Sequence, residues 1–311
     1  MKKETLKSEF ILLLVALIWG LAFVAQRAGM DHVGPFTFNG IRFFLGALSL
    51  IPFLVTLRGG KRAAASRRIE YTPGELFKNG LFASIFLFAG ISFQQVGLVY
   101  TTAGKAGFIT GLYVILVPIL GMVLKRSKTG YSTWIGAVLA ATGMYFLSVN
   151  QDFTISFGDF LELLCAFCFA AHVIIIDDLS NRFHTADLAF IQCVACSVIS
   201  MAVAFFFETI ALQGIINAAV PIFYGGVFSV GIAYTLQIYG QKKSHPSHAA
   251  IILSLESLFA ALGGWIILNE IMSGRSIAGC ALMMAGMLIS QVLRNGKRKV
   301  SVPEFERGQG L

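Results

Sequence analysis

Charged residues are scarce in this sequence. They make up 13% of its 311 residues, against 56% hydrophobic ones, where a soluble domain carries about 25%. So little charge leaves too few polar groups to cover a water-soluble globule. Long polar loops are also missing, which leaves no room for a soluble catalytic domain between the apolar stretches. There is no G-x-x-x-x-G-K-S/T phosphate loop, no H-E-x-x-H and no G-x-S-x-G, so ATP hydrolysis and the commonest zinc and serine hydrolase chemistries find no footing. No cofactor and no catalytic residue is expected. Cysteine is rare: Cys165, Cys168, Cys193, Cys196 and Cys280 all fall inside apolar segments. That placement argues against a secreted disulfide framework. The two C-x-x-C pairs resemble a four-thiolate site, but small apolar packing is the better reading and no metal is expected.

What is present is apolar, aromatic and small. Twenty-eight Phe and 32 Gly suit lipid-facing surfaces and close helix contacts. Apolar runs long enough to cross a bilayer, roughly twenty residues, fall at 10–30, 34–57, 76–99, 104–125 and 131–149. Five more fall at 157–178, 187–208, 218–240, 246–268 and 273–293. The run at 10–30 is long for a signal peptide and reads as an uncleaved first helix. Pro35, Pro73, Pro221 and Pro246 stand at or near helix starts, where a missing N–H costs little.

The net charge of +8 does not indicate nucleic acid, because the cations cluster between spans. With the N-terminus in the cytoplasm, twenty Lys and Arg fall inside and only Arg27, Lys105 and Arg275 outside. One missed span would invert that bias downstream. The expectation is an all-α membrane protein of ten transmembrane helices, multi-pass in a bacterial inner membrane, both termini cytoplasmic. Residues 1–9 form a cytoplasmic N-terminus, and 294–311 a basic, lipid-touching tail expected to be disordered.

The halves repeat weakly. A shift of 143 pairs Leu112 with Leu255, Gly121 with Gly264, Gly136 with Gly279 and Gly143 with Gly286. A shift of 150 pairs Leu13 with Leu163, Ala16 with Ala166 and Ile41 with Ile191. Five spans per half, over 10–149 and 157–293, make the second half inverted. Such halves can exchange conformations around a central site.

Trp19-Gly20, Phe38-Asn39-Gly40-Ile41-Arg42-Phe43, and the stretch from Leu255-Glu256-Ser257 through Asn269-Glu270 to Gly279 and Ala285-Gly286 resemble the drug/metabolite transporter superfamily, specifically its EamA-type members. The resemblance covers about 10–293. It implies a basket of helices with a central cavity that exports or exchanges amino acids, metabolites or drugs. Members often carry Pro after the glutamate of the ninth helix; Ser257 stands here instead, which puts a local break there in doubt.

An ionisable residue at membrane depth costs about 2.5–3.5 kcal/mol on insertion scales, so each asks for a reason. Glu256 lies mid-helix on a face with Ala249, Ala260 and Gly263. It is either a substrate or proton site or a structural carboxyl bonded to a neighbouring helix. Arg42, on a face with Asn39 and Gly46, can bind a carboxylate or phosphate bidentately or pair with Glu256. Gln192 is its counterpart in the second half. Gln94, Tyr113 (near Pro118, a candidate kink), Tyr234, Gln237, Trp19 and Trp265 complete the substrate-binding candidates. His172 with Asp177 and Asp178 looks acid–base-like, and an intramembrane lipid enzyme or a non-transporting subunit stays open. Glu270 suits capping or loop pairing. The expected partners are a small molecule, membrane lipid, and a coupling proton or counter-substrate.

Overall fold

The computed structural model describes residues 2–59, 71–125, 130–148, 155–180, 182–241 and 252–292. The expected start of the ninth span at 246, with Ala249, lies outside them. So do the loop cations Lys61, Arg62, Arg67, Arg68, Arg126, Lys128, Lys242 and Lys243 and the tail from 294.

Among the described residues ten helical passes follow one another. They are α1 (Lys2–Gly29), α2 (Pro35–Gly59), α3 (Pro73–Tyr100), α4 in two pieces (Ala103–Gly111 and Tyr113–Lys125) and α5 (Tyr131–Ser148). Then come α6 (Phe157–Ser180), α7 (Thr185–Phe207) and, after a short helix at Leu212–Asn217, the composite α8. α8 runs Ala219–Phe223, Tyr224–Ala233 and Tyr234–Gln241, and α9 (Glu256–Leu268) and α10 (Gly274–Val292) close the series.

Local chemistry fixes several ends. Thr72 caps α3 by accepting from Glu75 N while Glu75 reaches back to Thr72 N at 3.0 Å, a reciprocal box with Pro73 in the first turn. Thr102 caps α4 by accepting from Lys105 N at 3.2 Å. Asn269 ends α9 with φ 54° and ψ 32°, a left-handed conformation that Asn tolerates better than most residues.

Seven passes are by themselves long and apolar enough to cross a bilayer, and Ile252–Leu268 and Gly274–Ser290 are shorter apolar helices. α5 packs on α10. Ser132, Thr133 and Ser290 are all buried in that pair. Elsewhere the outside is strongly apolar: Phe205, Phe206, Phe207, Val220 and Ile271 are each at least 76% exposed. Such a surface belongs in lipid, and helices are the form in which a backbone satisfies itself there.

The packing has pseudo-two-fold symmetry. α2 packs on α7, α4 on α9 and α5 on α10, each pair being its own mirror under a shift of five passes. The other main contacts come in matched couples: α3 on α6 with α8 on α1, α1 on α9 with α6 on α4, and α2 on α8 with α7 on α3. Glycines make the closest of these approaches. A methyl added at Gly136 would stand 2.5 Å from the Gly286 carbonyl oxygen, and one at Gly286 would stand 2.6 Å from that of Gly136. Gly143 and Gly279 repeat the arrangement at 2.6 and 2.7 Å. The glycine pairs found in sequence are thus exchanged by the two-fold axis.

Candidate functional site

α4 and α9 are both interrupted, at equivalent places. Leu112 has φ −59° and ψ −19°, and Leu255 has φ −66° and ψ −10°. Each donates to a carbonyl only three residues back, Ile109 at 3.1 Å and Ile252 at 3.2 Å. The two leucines are 143 residues apart. The first residues beyond the breaks are Tyr113 and Glu256, and the Glu256 carboxyl lies close enough to act electrostatically on the Tyr113 hydroxyl. The break needs no proline. Ser257 donates to Gly107 O at 2.8 Å, tying α9 to α4, while Pro118 lies within the continuous piece Tyr113–Lys125. Half-helix starts facing the interior are where discontinuous helices of transporters hold ligands.

Arg42 lies in the interior beside α8. It is 4% exposed, with its guanidinium carbon 5.7 Å from the ring centre of Phe38 and 5.1 Å from that of Phe43. Its Nε has no hydrogen-bond partner. Arg27–Asp31 and Lys105–Asp159 form ion pairs, but the considered Arg42–Glu256 pair is not formed. Cys196 and Cys165 lie within electrostatic range of the guanidinium. Opposite it α8 is a π-helix over Tyr224–Ala233, a rare form associated with functional sites. Gly225 and Gly226 let Arg42 approach: an added methyl would meet Arg42 Cδ at 3.4 Å and Arg42 O at 2.7 Å.

The other candidates divide. Trp19 donates to Ser229 O of the π-helix at 3.1 Å, so its ring is a strut between α1 and α8. Asn39 donates to Ile91 O at 3.0 Å, with its Oδ1 unpartnered. Tyr234 packs against Phe43, Cys193 and Cys196, on the Arg42 side. Gln94 is buried on α3 and Gln237 half-buried on α8. Gln192 donates to Leu188 O at 3.1 Å and bonds His172 Nε2 at 2.6 Å. That bond occupies the imidazole considered for acid–base work. Trp265 is a correction: it is 62% exposed beside Ile266 and Ile267. An apolar helix end turned outward carries it away from the interior.

Four carboxylates organise the bundle end where α1 meets α2. Glu208 accepts from Phe36 N and Thr37 N, both at 2.8 Å, and from Thr37 Oγ1 at 2.7 Å, capping α2. Glu270 accepts from Ala103 N at 2.7 Å and Gly104 N at 3.2 Å, capping α4 in keeping with its expected role. Asp159 accepts from Thr101 Oγ1 at 2.5 Å and Lys105 Nζ at 2.8 Å. Glu162, one turn further along α6, accepts from Thr110 Oγ1 at 2.8 Å. A cavity of about 360 Å³ opens here beside Arg27, Thr101, Thr102 and Glu270. Sequence reasoning missed Asp159, Glu162 and Glu208. The signal for the first two was two carboxylates inside one apolar run. The cysteines are free thiols, and among the described residues no cluster of three or more His, Cys, Asp or Glu is placed to hold a metal.

The EamA-like transporter family profile matches residues 6–149 and again 156–291, the two halves related above. The chain belongs to the EamA-like transporter family. Among its relatives, an uncharacterized transporter of Archaeoglobus fulgidus is 36% identical over 92% of this chain and 86% of its own. A probable amino-acid metabolite efflux pump of Salmonella typhimurium is 25% identical over 91% of this chain and 94% of its own. One solved crystal structure shares the fold with a TM-score of 0.65, at 18% identity over 92% of this chain and 98% of that one.

Proposed function

We propose that the protein is a secondary transporter, an exporter or exchanger, that moves a small organic metabolite with an acidic group across the cytoplasmic membrane by alternating access. The distribution of cations supports a topology with both termini in the cytoplasm. The observation that carries the reading is Arg42, a buried guanidinium without an acceptor on its Nε. A cation taken out of water with no counter-charge costs several kcal/mol. A carboxylate delivered by the substrate removes that cost, and the planar fork suits it. Glu256 and Tyr113 at the paired helix breaks supply polar contacts for the rest of an amino acid or related compound. A relative named for amino-acid metabolite efflux supports the same substrate class. The five-helix repeats, over 10–149 and 157–293, would rock against each other around this centre.

The test is ligand-induced thermal stabilisation of the purified protein across amino acids, nucleosides, vitamins and phosphorylated metabolites, because binding to the folded state raises apparent stability with ligand excess. A carboxylate-bearing hit that disappears in both Arg42→Ala and Glu256→Gln supports the assignment. Normal transport by both variants sinks it.

A further inference from the structure

Glu162 is a carboxyl that the substrate site leaves unused. It is completely buried on α6. Thr110 satisfies Oε2, while Oε1 is sealed from solvent with no hydrogen-bond partner. Against Oε1 lies the backbone of α3, where a methyl added at Gly97 would stand 2.8 Å away. The charged and titratable groups around it are few. Asp159 and Cys165 lie on its own helix, one turn to either side. α4 brings Thr110 and, beyond Asp159, Lys105, whose ammonium is held by Asp159 at 2.8 Å. Of the ionisable side chains of α3, Glu75 and Lys78 sit at its far, starting end, and Tyr100 at its near end is 59% exposed. From α2, Arg42 comes within electrostatic range of Cys165. No cation is bonded to Glu162. An ionised carboxylate with a sealed, unpartnered oxygen is very costly in low dielectric. A proton on Oε1 removes the charge and needs no further ligand.

Its position adds a route. Asp159, Glu162 and Cys165 follow at three-residue spacing along one face of α6. Thr101, which lines the end cavity, donates to Asp159, and Cys165 is within electrostatic range of the Arg42 guanidinium. We propose that Glu162 binds a proton carried through the transport cycle, exchanging it with water on the Thr101–Asp159 side while the acidic group of the substrate is held at Arg42. On release the O–H bond breaks, the proton passes to water in the cavity and the carboxylate remains. That negative charge opposes an anion at Arg42, so proton and substrate anion bind together. This coupling rests on the transporter reading above; the protonation of Glu162 does not.

Two readouts test it. Infrared difference spectra of the purified protein between acidic and alkaline buffer show a protonated buried carboxyl in the wild type. The band is retained in Glu256→Gln, lost in Glu162→Gln and shifted in Glu162→Asp. With a stabilising carboxylate ligand in hand, its affinity falls about tenfold as pH rises through that titration. The affinity of Glu162→Gln is flat with pH, and Glu162→Asp restores the dependence. The proposal is overturned by a band that survives in Glu162→Gln, by one that no tolerated pH removes, or by an unaltered pH dependence in Glu162→Gln. Dependence on sodium rather than pH overturns it equally. If no ligand is found, the transporter reading loses support while the infrared result still decides Glu162.

Discussion

Tyr113 and Glu256 occupy equivalent positions in the two repeats, each the first residue after a one-residue interruption of its helix, in the two helices α4 and α9 that pack on each other. The two-fold axis therefore runs close to a phenol on one side and a carboxyl on the other. Identical repeats would place two like groups there. The exchange of one for the other makes the centre polar without setting two carboxylates against each other.

If the two act on one ligand, their losses are not additive. Tyr113→Phe and Glu256→Gln each lower the affinity for a stabilising ligand by about tenfold, and the double variant loses clearly less than the product of the two. Isothermal titration of the four proteins measures the coupling. Strict additivity would mean that the residues contact the ligand independently.

Arg42→Met separates stability from function. Removing a buried cation that has no acceptor on Nε leaves the melting temperature equal or higher, because a similar apolar volume replaces a charge that cost several kcal/mol to bury. Substrate binding is abolished at the same time. A melting temperature lower by the equivalent of more than about 3 kcal/mol would show that the guanidinium has a structural partner.

The α5–α10 seam predicts strong position dependence for glycine. Gly136→Ala and Gly279→Ala drive a methyl onto a backbone oxygen at 2.5 and 2.7 Å, which no rotamer relieves. Each is expected to cost about 1–3 kcal/mol, read as a fall in melting temperature. Gly74→Ala and Gly274→Ala meet nothing within 4 Å and leave stability unchanged or raise it by up to about 1 kcal/mol through helix propensity. Equal effects at all four sites would disprove the close seam.

Glu208 and Glu270, beyond the ends of α7 and α9, cap α2 and α4. Each cap spans the two repeats, so under the proposed alternating access an opening of that end would break it. Glu270→Ala is expected to cost about 0.5–2 kcal/mol and to speed labelling of a Thr102→Cys reporter by a membrane-impermeant thiol reagent. Glu270→Gln keeps an acceptor and recovers part of the difference. Slower or unchanged labelling in Glu270→Ala would show that the cap does not restrain the opening.

Much of the architecture was legible because it depends on one-dimensional patterns. The expected spans agree with the observed passes within a few residues over most of the described chain. Pro35 and Pro73 mark helix starts by chemistry that acts within one turn. Gly136 and Gly143, matched with Gly279 and Gly286 at a spacing of 143, proved to be contact points between the repeats, since only glycine lets two backbones approach that closely. Arg42 and Glu256 stood out because a charge in an apolar run is visible without a fold. Asp159 and Glu162 carried the same signal, yet their burial became clear only once α3 and α4 were packed over them.

Composition, span length and cation distribution by themselves determined that this chain is an inverted pair of five-helix membrane repeats, because the cost of exposing polar groups to lipid acts residue by residue. Only the tertiary structure decided which polar groups lack partners. It freed Arg42 from Glu256, gave Gln192 to His172 and turned Trp265 outward. It also set Glu208 and Glu270 on the starts of distant helices. The reason is physical: a hydrogen bond or an ion pair forms within about 3–4 Å, and contacts between residues more than a hundred positions apart are fixed by how the helices pack.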